Sequence, residues 1–162
     1  MRIREATPED WPAIWPIFRE IVAAGETYAW ERDMPEAEAR GMWFAPPPDR
    51  VIVSVEDDGR VTGTAKMGAN RGGGGAHVAT ASFMVEPARA GRGTGRALGE
   101  EVIAWARREG FRLIQFNAVV ESNTRAVELW RSLGFELMGT LPEGFRRPDG
   151  AYVGLHSMFR VL

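Results

Sequence analysis

VEPARAGRGTGRALGEEVIAWARREG, Val85 to Gly110, is the stretch from which the rest of the chain can be read. Gly91, Gly93 and Gly95 alternate with Arg92 and Thr94. An amphipathic run follows, with Leu98, Val102, Trp105 and Ala106 on one face, and Gly110 ends it as a left-handed cap. A helix N-terminus leaves N–H groups unpaired and carries partial positive charge. Glycines ahead of it let an anion reach the backbone. Arg89, Arg92 and Arg96 add charge around the same spot, so a phosphate or pyrophosphate is the natural ligand. The dinucleotide fingerprint G-x-G-x-x-G fails, because Arg96 stands where the last glycine belongs. The ATP-type loop fails too, since it needs Gly-Lys-Ser/Thr and the sole lysine, Lys66, lies in TAKMG. A purely structural glycine turn is the competing reading, and three alternating glycines are costly for that purpose alone.

Working outward, HVATASFMV (77–85) predicts the strand that feeds the loop. NRGGGG (70–75) precedes it; no helix follows, so it reads as a mobile loop rather than an anion site. VIVSVE (51–56), the turn DDG and RVTGTAKMGA (60–69) predict a hairpin. Toward the N-terminus, residues 3–5 suit a short strand. TPED places Thr7 at an N-cap, Pro8 at the first helical position and Asp10 three residues after the cap. Ile14, Ile17, Phe18, Ile21 and Val22 then recur at helical spacing up to Gly25. PEAEARGMWF (35–44) predicts a second helix, stopped by APPPD. Beyond Gly110, RLIQFNAVV (112–120) predicts a buried strand. Asn123 caps a helix carrying Ala126, Val127, Leu129, Trp130 and Leu133, closed by Gly134, and FELMGTL and AYVGLHSMFRVL supply two last strands. The order β-α-α-β-β-β-α-β-α-β-β predicts an α/β chain: one mixed sheet of about seven strands, with about four helices on its two sides.

The 162 residues suit a single domain over 1–162. Apolar and charged fractions of 44% and 26% are those of a globular chain. A net charge of −2 gives no basic footprint for nucleic acid. The absence of cysteine excludes disulfides, thiolate metal sites and a cysteine nucleophile. With only two histidines, a metal site is not expected. MRIREATPED is no signal peptide and no run is long enough for a membrane span, so a soluble cytoplasmic protein is the expectation.

VEPARAGRGTGRAL resembles the acetyl-CoA-binding motif of the GCN5-related N-acetyltransferases, R/Q-G-x-G-x-G/A between a strand and a helix. NTRAVELWRSLGF (123–135) resembles that family's N-x-x-A-x-x-L-Y-x-x-x-G-F motif, in register with the first, and the resemblance covers roughly residues 2–160. Two departures stand out. Ala90 replaces the usual Arg or Gln, and Trp130 occupies the common tyrosine position, which in many members protonates the leaving thiolate. Within the family, GETYAWERD, FNAVVESN and GFRRPDGAYVGLHSMFR look like the branch that acetylates phosphinothricin, methionine sulfoximine and proline analogues.

The resemblance implies an N-acetyltransferase using acetyl-CoA, no metal, and direct attack by a small-molecule amine. It also suggests a homodimer. It assigns cofactor binding to Phe83, Met84 and Val85, to the loop Ala90, Gly91, Arg92, Gly93, Thr94, Gly95 and Arg96, and to Asn123 and Trp130. A free N–H on the strand ending at Val85 is the expected oxyanion donor. Glu26, Tyr28, Trp30, Phe83 and Asn117 are the expected acceptor residues, with Asn117 and Glu121 as catalytic candidates. Glu26 and the two histidines, His77 and His156, are further candidates for proton handling. Asn117 lies in a run otherwise fit for burial, so either the core satisfies its amide or it faces the cleft. A plain N-cap role for Asn123 and core packing for Trp30 stay open. Two other functions keep the same fold: a peptide or protein acetyltransferase, and an acyl-CoA sensor without turnover.

Overall fold

A computed structural model describes residues 1–162. Its elements in chain order are β1 (Arg2–Glu5), α1 (Trp11–Ala24), α2 (Glu36–Trp43), β2 (Arg50–Val55), β3 (Val61–Ala69), β4 (Val78–Val85), α3 (Thr94–Arg108), β5 (Leu113–Val120), α4 (Thr124–Ser132), β6 (Glu136–Arg146) and β7 (Tyr152–Val161). The expected order is observed. At the start of α1 the expected capping pair forms around a short 3-10 turn, and the Thr7 N–H donates to the Asp10 carboxylate at 2.8 Å. Gly25, Gly110 and Gly134 end their helices with positive φ.

The seven strands form one sheet in the order β1-β2-β3-β4-β5-β7-β6. Every neighbouring pair is antiparallel except β4 and β5. Each face carries its own core. Ile14, Ile17, Phe18 and Val22 of α1 pack with Ala39 and Trp43 of α2 against Val51, Val53 and Met84. On the other face, Leu98, Val102 and Trp105 of α3 and Val127 and Trp130 of α4 pack on Ala65, Ala79, Ile114, Phe116 and Met158.

The parallel pair decides where the site lies. β4 and β5 are in register only at Val78–Leu113 and Ala79–Ile114. Beyond that point β4 stays with β3 up to Val85, while β5 follows β7. The strands part, leaving one edge of each without a neighbour in the middle of the sheet. This opening corrects the expectation of a wholly buried β5, because Asn117 and Ala118 lie exposed on it. The 70–75 segment is an exposed loop with one 3-10 turn at Gly73–Gly75, and β4 begins at Val78, just after the exposed His77. No helix is long and apolar enough to cross a membrane.

Candidate active site

The glycine loop lies at the end of β4 and is exposed. Gly91 and Gly93 have φ of 83° and 91°, and open space stands where a side chain would project from either. Gly95 serves differently: a Cβ there would press on Leu129 at 3.2 Å, so this glycine lets α3 approach α4. No hydrogen bond within the protein uses the N–H groups of Gly91, Arg92 and Gly93, and the first turn of α3 has no side-chain cap. Intrahelical bonding starts at Ala97, whose N–H donates to the Gly93 carbonyl at 3.0 Å. Six consecutive N–H groups, from Gly91 to Arg96, are therefore free for an anion. Arg89 and Arg92 make no ion pair, whereas Arg96 bonds to Ser132 at 2.7 Å and lies 3.7 Å from Glu100. Thr94 contributes only its backbone, since its side chain is buried against Gly63. Ala90 donates its N–H to the Pro87 carbonyl and is not free.

Along the parted stretch, alternate residues of β4 bond to β3, as the Glu86 N–H does to the Thr62 carbonyl. The backbone groups of Ala81, Phe83 and Val85 consequently face the opening. Met84 does not join them: its backbone is turned toward β3 and its side chain is buried in the α1 core. Phe83 has a partner already. Its N–H donates to the Tyr28 hydroxyl at 3.0 Å, and that hydroxyl donates to the Phe83 carbonyl at 2.7 Å. Burial pushes the Tyr28 phenol well above its ordinary value, against the smaller opposing effect of the hydrogen bond with Phe83. The Tyr28 ring stacks on Trp30 at 4.3 Å, and Trp30 stacks on Phe18.

The two faces of the opening differ in chemistry. Toward α3 and α4 it is aromatic: Trp130 lies 4.6 Å from Phe83 and 4.8 Å from Phe116, and Phe135 stacks on Phe116. Trp130 is buried there and packs against Gly99. Toward α1 and α2 the opening is polar. Asn117 exchanges two hydrogen bonds with Asn70, at 2.7 and 3.2 Å, and the same Asn70 amide reaches Gln115 at 3.3 Å. Asn117 is therefore exposed, not in the core, and its amide is held by Asn70.

Glu121 is tied to β7, with its carboxylate accepting from the Gly154 N–H at 2.8 Å. Glu26 is exposed and forms no hydrogen bond. Asn123 caps α4, accepting from the Ala126 N–H at 3.3 Å. His156 is buried on β7 and bonded to Thr140 at 2.7 Å.

Two cavities flank the Tyr28–Trp30 pair. One, of about 230 Å³, lies against Lys66, Asp49, Thr80, Ser82, Met42 and Trp43, with Trp30 as a wall. The other, of about 360 Å³, lies between the loop after α1 and the β6–β7 turn, where Arg32, Arg146 and Arg147 gather. Lys66 and Asp49 escaped the sequence reading because they sit in a hairpin strand and after a proline run, without any motif. The only signal was that Lys66 is the sole lysine. No group of three or more His, Asp or Glu side chains is gathered as for a metal ion.

Residues 11–135 match the sequence model described as the acetyltransferase (GNAT) family. The chain belongs to this family. It is an acetyltransferase of the GNAT type, with a mixed α/β fold. The L-methionine sulfoximine/L-methionine sulfone acetyltransferase of Pseudomonas aeruginosa is 30% identical over 145 residues, 87% of this chain and 83% of that protein. N-acetyltransferase aca1 of Schizosaccharomyces pombe is 26% identical over 77% of this chain, and the match spans 66% of aca1. Among solved structures, a GCN5-related N-acetyltransferase from Kribbella flavida is 57% identical, with a TM-score of 0.96 over 99% of this chain and 97% of that one. A GNAT phosphinothricin acetyltransferase from Sinorhizobium meliloti, in complex with AcCoA, is 26% identical, with a TM-score of 0.89 over 99% and 88%.

Proposed function

We propose that this GNAT chain moves the acetyl group of acetyl-CoA to the amine of a small molecule, an amino acid or close analogue, by direct attack. The observation that carries this is the run of six free N–H groups from Gly91 to Arg96, placed at the end of the strand that borders the opening in the sheet. These amides, with Arg89 and Arg92, suit the diphosphate of coenzyme A. The Val85 N–H faces the opening and suits the pantetheine arm, in the way an added strand would pair. The aromatic face under Phe83, Phe116 and Trp130 gives the arm an apolar floor and excludes water from that side.

When bound, the cofactor supplies an acetyl thioester whose carbonyl carbon is open to an amine. Tyr28 is the group placed for the developing negative charge. Its hydroxyl sits on the Phe83 N–H and can turn its proton from the Phe83 carbonyl toward an oxyanion. The upward shift of the phenol keeps that proton in place, so the hydroxyl donates a hydrogen bond and does not act as an acid. This phenol comes from the loop after α1 and serves as a hydrogen-bond donor; it does not take over the acid role of the tyrosine position on α4, where Trp130 stands. Asn117 and Gln115, on the polar face, suit contacts to the acceptor. Glu121 is occupied by Gly154 and serves this reading as a strut; the ammonium loses its proton to solvent on the open face.

A cavity of about 230 Å³ is below the lower end, about 300 Å³, of pockets for drug-sized ligands. That supports an amino-acid-sized acceptor over a peptide, as does the named acceptor of the Pseudomonas relative. A homodimer belongs to the same reading. The edge strand β6 and its neighbour β7 expose Leu137, Met138, Leu141 and Tyr152, which a second copy would cover.

The test is thiol release from acetyl-CoA with a panel of amino acids, including methionine sulfoximine and azetidine-2-carboxylate, and a panel of peptides. Release with amino acids supports the reading. Release with peptides alone transfers it to a protein acetyltransferase, and binding of coenzyme A without release on any amine makes the chain a sensor.

A further inference from the structure

We infer that Lys66 holds an anionic group of the acceptor, a carboxylate or its equivalent, and so restricts the enzyme to amines bearing an anion within about one amino acid's length of the nitrogen. This rests on the acetyl-transfer reading above and names its acceptor-selecting residue.

Lys66 is the only lysine among 20 basic Lys and Arg residues. It lies in the middle of β3 and lines the 230 Å³ cavity. Its ammonium donates to the Met42 carbonyl at 2.8 Å, while the Asp49 carboxylate lies 3.8 Å away, beyond hydrogen-bond reach. An ammonium has three N–H bonds, so donors remain for the cavity. The Thr80 and Ser82 side chains line the same space and offer hydroxyls to an anion beside the cation. Trp30, Met42 and Trp43 make up apolar parts of the lining, and the Lys66 side chain is 26% exposed, which leaves its charge less screened than on the open surface.

Position ties this cation to the chemistry. Lys66 is directly across from Ser82 on β4, and Ser82 precedes Phe83, whose N–H carries the Tyr28 hydroxyl. Lys66 and Ser82 thus stand side by side on adjacent strands about 4.8 Å apart, with the opening on the far side of β4. The Asp49 carboxylate lies over Gly68, where a side chain would collide with it, and forms a long ion pair with Lys66. A guanidinium is a larger planar group with a different donor geometry, so Arg is not a like-for-like replacement for the compact ammonium. Arg32 and Arg146 are exposed at the mouth of the second cavity, where solvent screens them. They suit attraction of an anionic molecule from a distance rather than its fixation.

The experiment compares α-amino acids with their α-carboxamides as acceptors, in the wild type and in Lys66→Met, Lys66→Arg and Arg146→Ala, with rates corrected for the fraction of free amine. A charge-assisted hydrogen bond predicts roughly 10- to 100-fold higher kcat/KM for the acid in the wild type. Lys66→Met is expected to erase that preference through KM for the acid, with kcat and the KM for acetyl-CoA within about threefold; Lys66→Arg is expected not to restore it. Equal use of acid and carboxamide by the wild type overturns the inference without any variant having to fold. So does a preference that survives Lys66→Met or that disappears only in Arg146→Ala. Acetyl transfer stands in all three of those outcomes. Absence of transfer to every amine, with coenzyme A still bound, removes the acetyl-transfer reading and this inference with it.

Discussion

In the proposed function, the glycine loop and the polar side of the opening solve two recognition problems with different atoms. The loop works with backbone. Gly91 and Gly93 take positive φ, nothing stands over them, and one short segment supplies the whole set of free amides. The proposed acceptor side draws on side chains from five separate places: Tyr28 and Trp30 after α1, Asp49 before β2, Lys66 on β3, Ser82 on β4 and Asn117 on β5. A backbone site is local and tolerant of neighbours. A side-chain site depends on every segment that brings a group to it, and so it is where specificity can change while the loop stays the same.

Five substitutions sharpen that contrast. The largest expected effect on turnover is at Tyr28. Tyr28→Phe keeps the ring on Trp30 and removes the hydroxyl, and kcat is expected to fall about 100-fold, the range for one oxyanion donor, with KM for acetyl-CoA unchanged in a steady-state assay. Its pH dependence has a definite sign. Because burial raises the folded-state pKa, Tyr28 contributes stability that is complete below its unfolded value and is lost as pH rises through the folded one. The wild-type rate profile therefore shows no downturn from this phenol below about pH 10.

Gly93→Val comes next and acts on the other region. A β-branched residue at φ 91° costs about 1–3 kcal/mol, so coenzyme A affinity by calorimetry is expected to drop roughly 10- to 100-fold, with little effect on acceptor preference. Arg89→Ala and Arg92→Ala are smaller. Each removes a charge near the glycine loop, half-buried at Arg89 and exposed at Arg92, and each is expected to weaken coenzyme A binding about two- to fivefold at low salt and hardly at all at high salt. Glu121→Gln is the smallest. The carboxylate loses its charge but the amide oxygen still accepts from Gly154, so stability should fall by about 1 kcal/mol or less and the pH–rate profile should keep its shape. A loss of 100-fold or more would instead mark a general base.

Much of the fold was legible because its signals are local. Gly25, Gly110 and Gly134 stop helices by their own backbone freedom, and the apolar positions of α1 and α3 repeat at helical spacing. Asn117 was not settled, because its surroundings depend on β5 leaving β4 after Ile114, a tertiary event. Trp130 at the tyrosine position left the phenol unaccounted for. The phenol that does lie at the opening, Tyr28, is 55 residues from the Phe83 backbone it bonds. Met84 was grouped with Phe83 and Val85 by adjacency, but strand pleating turns alternate residues to opposite edges.

By itself, the sequence determined the order of elements, the glycine loop ahead of α3, the lack of cysteine and the mismatch to the dinucleotide and ATP-loop motifs, because each rests on residues within a few positions of one another or on composition alone. The tertiary structure alone decided which amides face the opening, that Tyr28 caps Phe83, and that the single lysine stands in the cavity beside it. Those facts depend on how far apart in space distant segments come to rest, and that distance is fixed by packing two cores against one sheet.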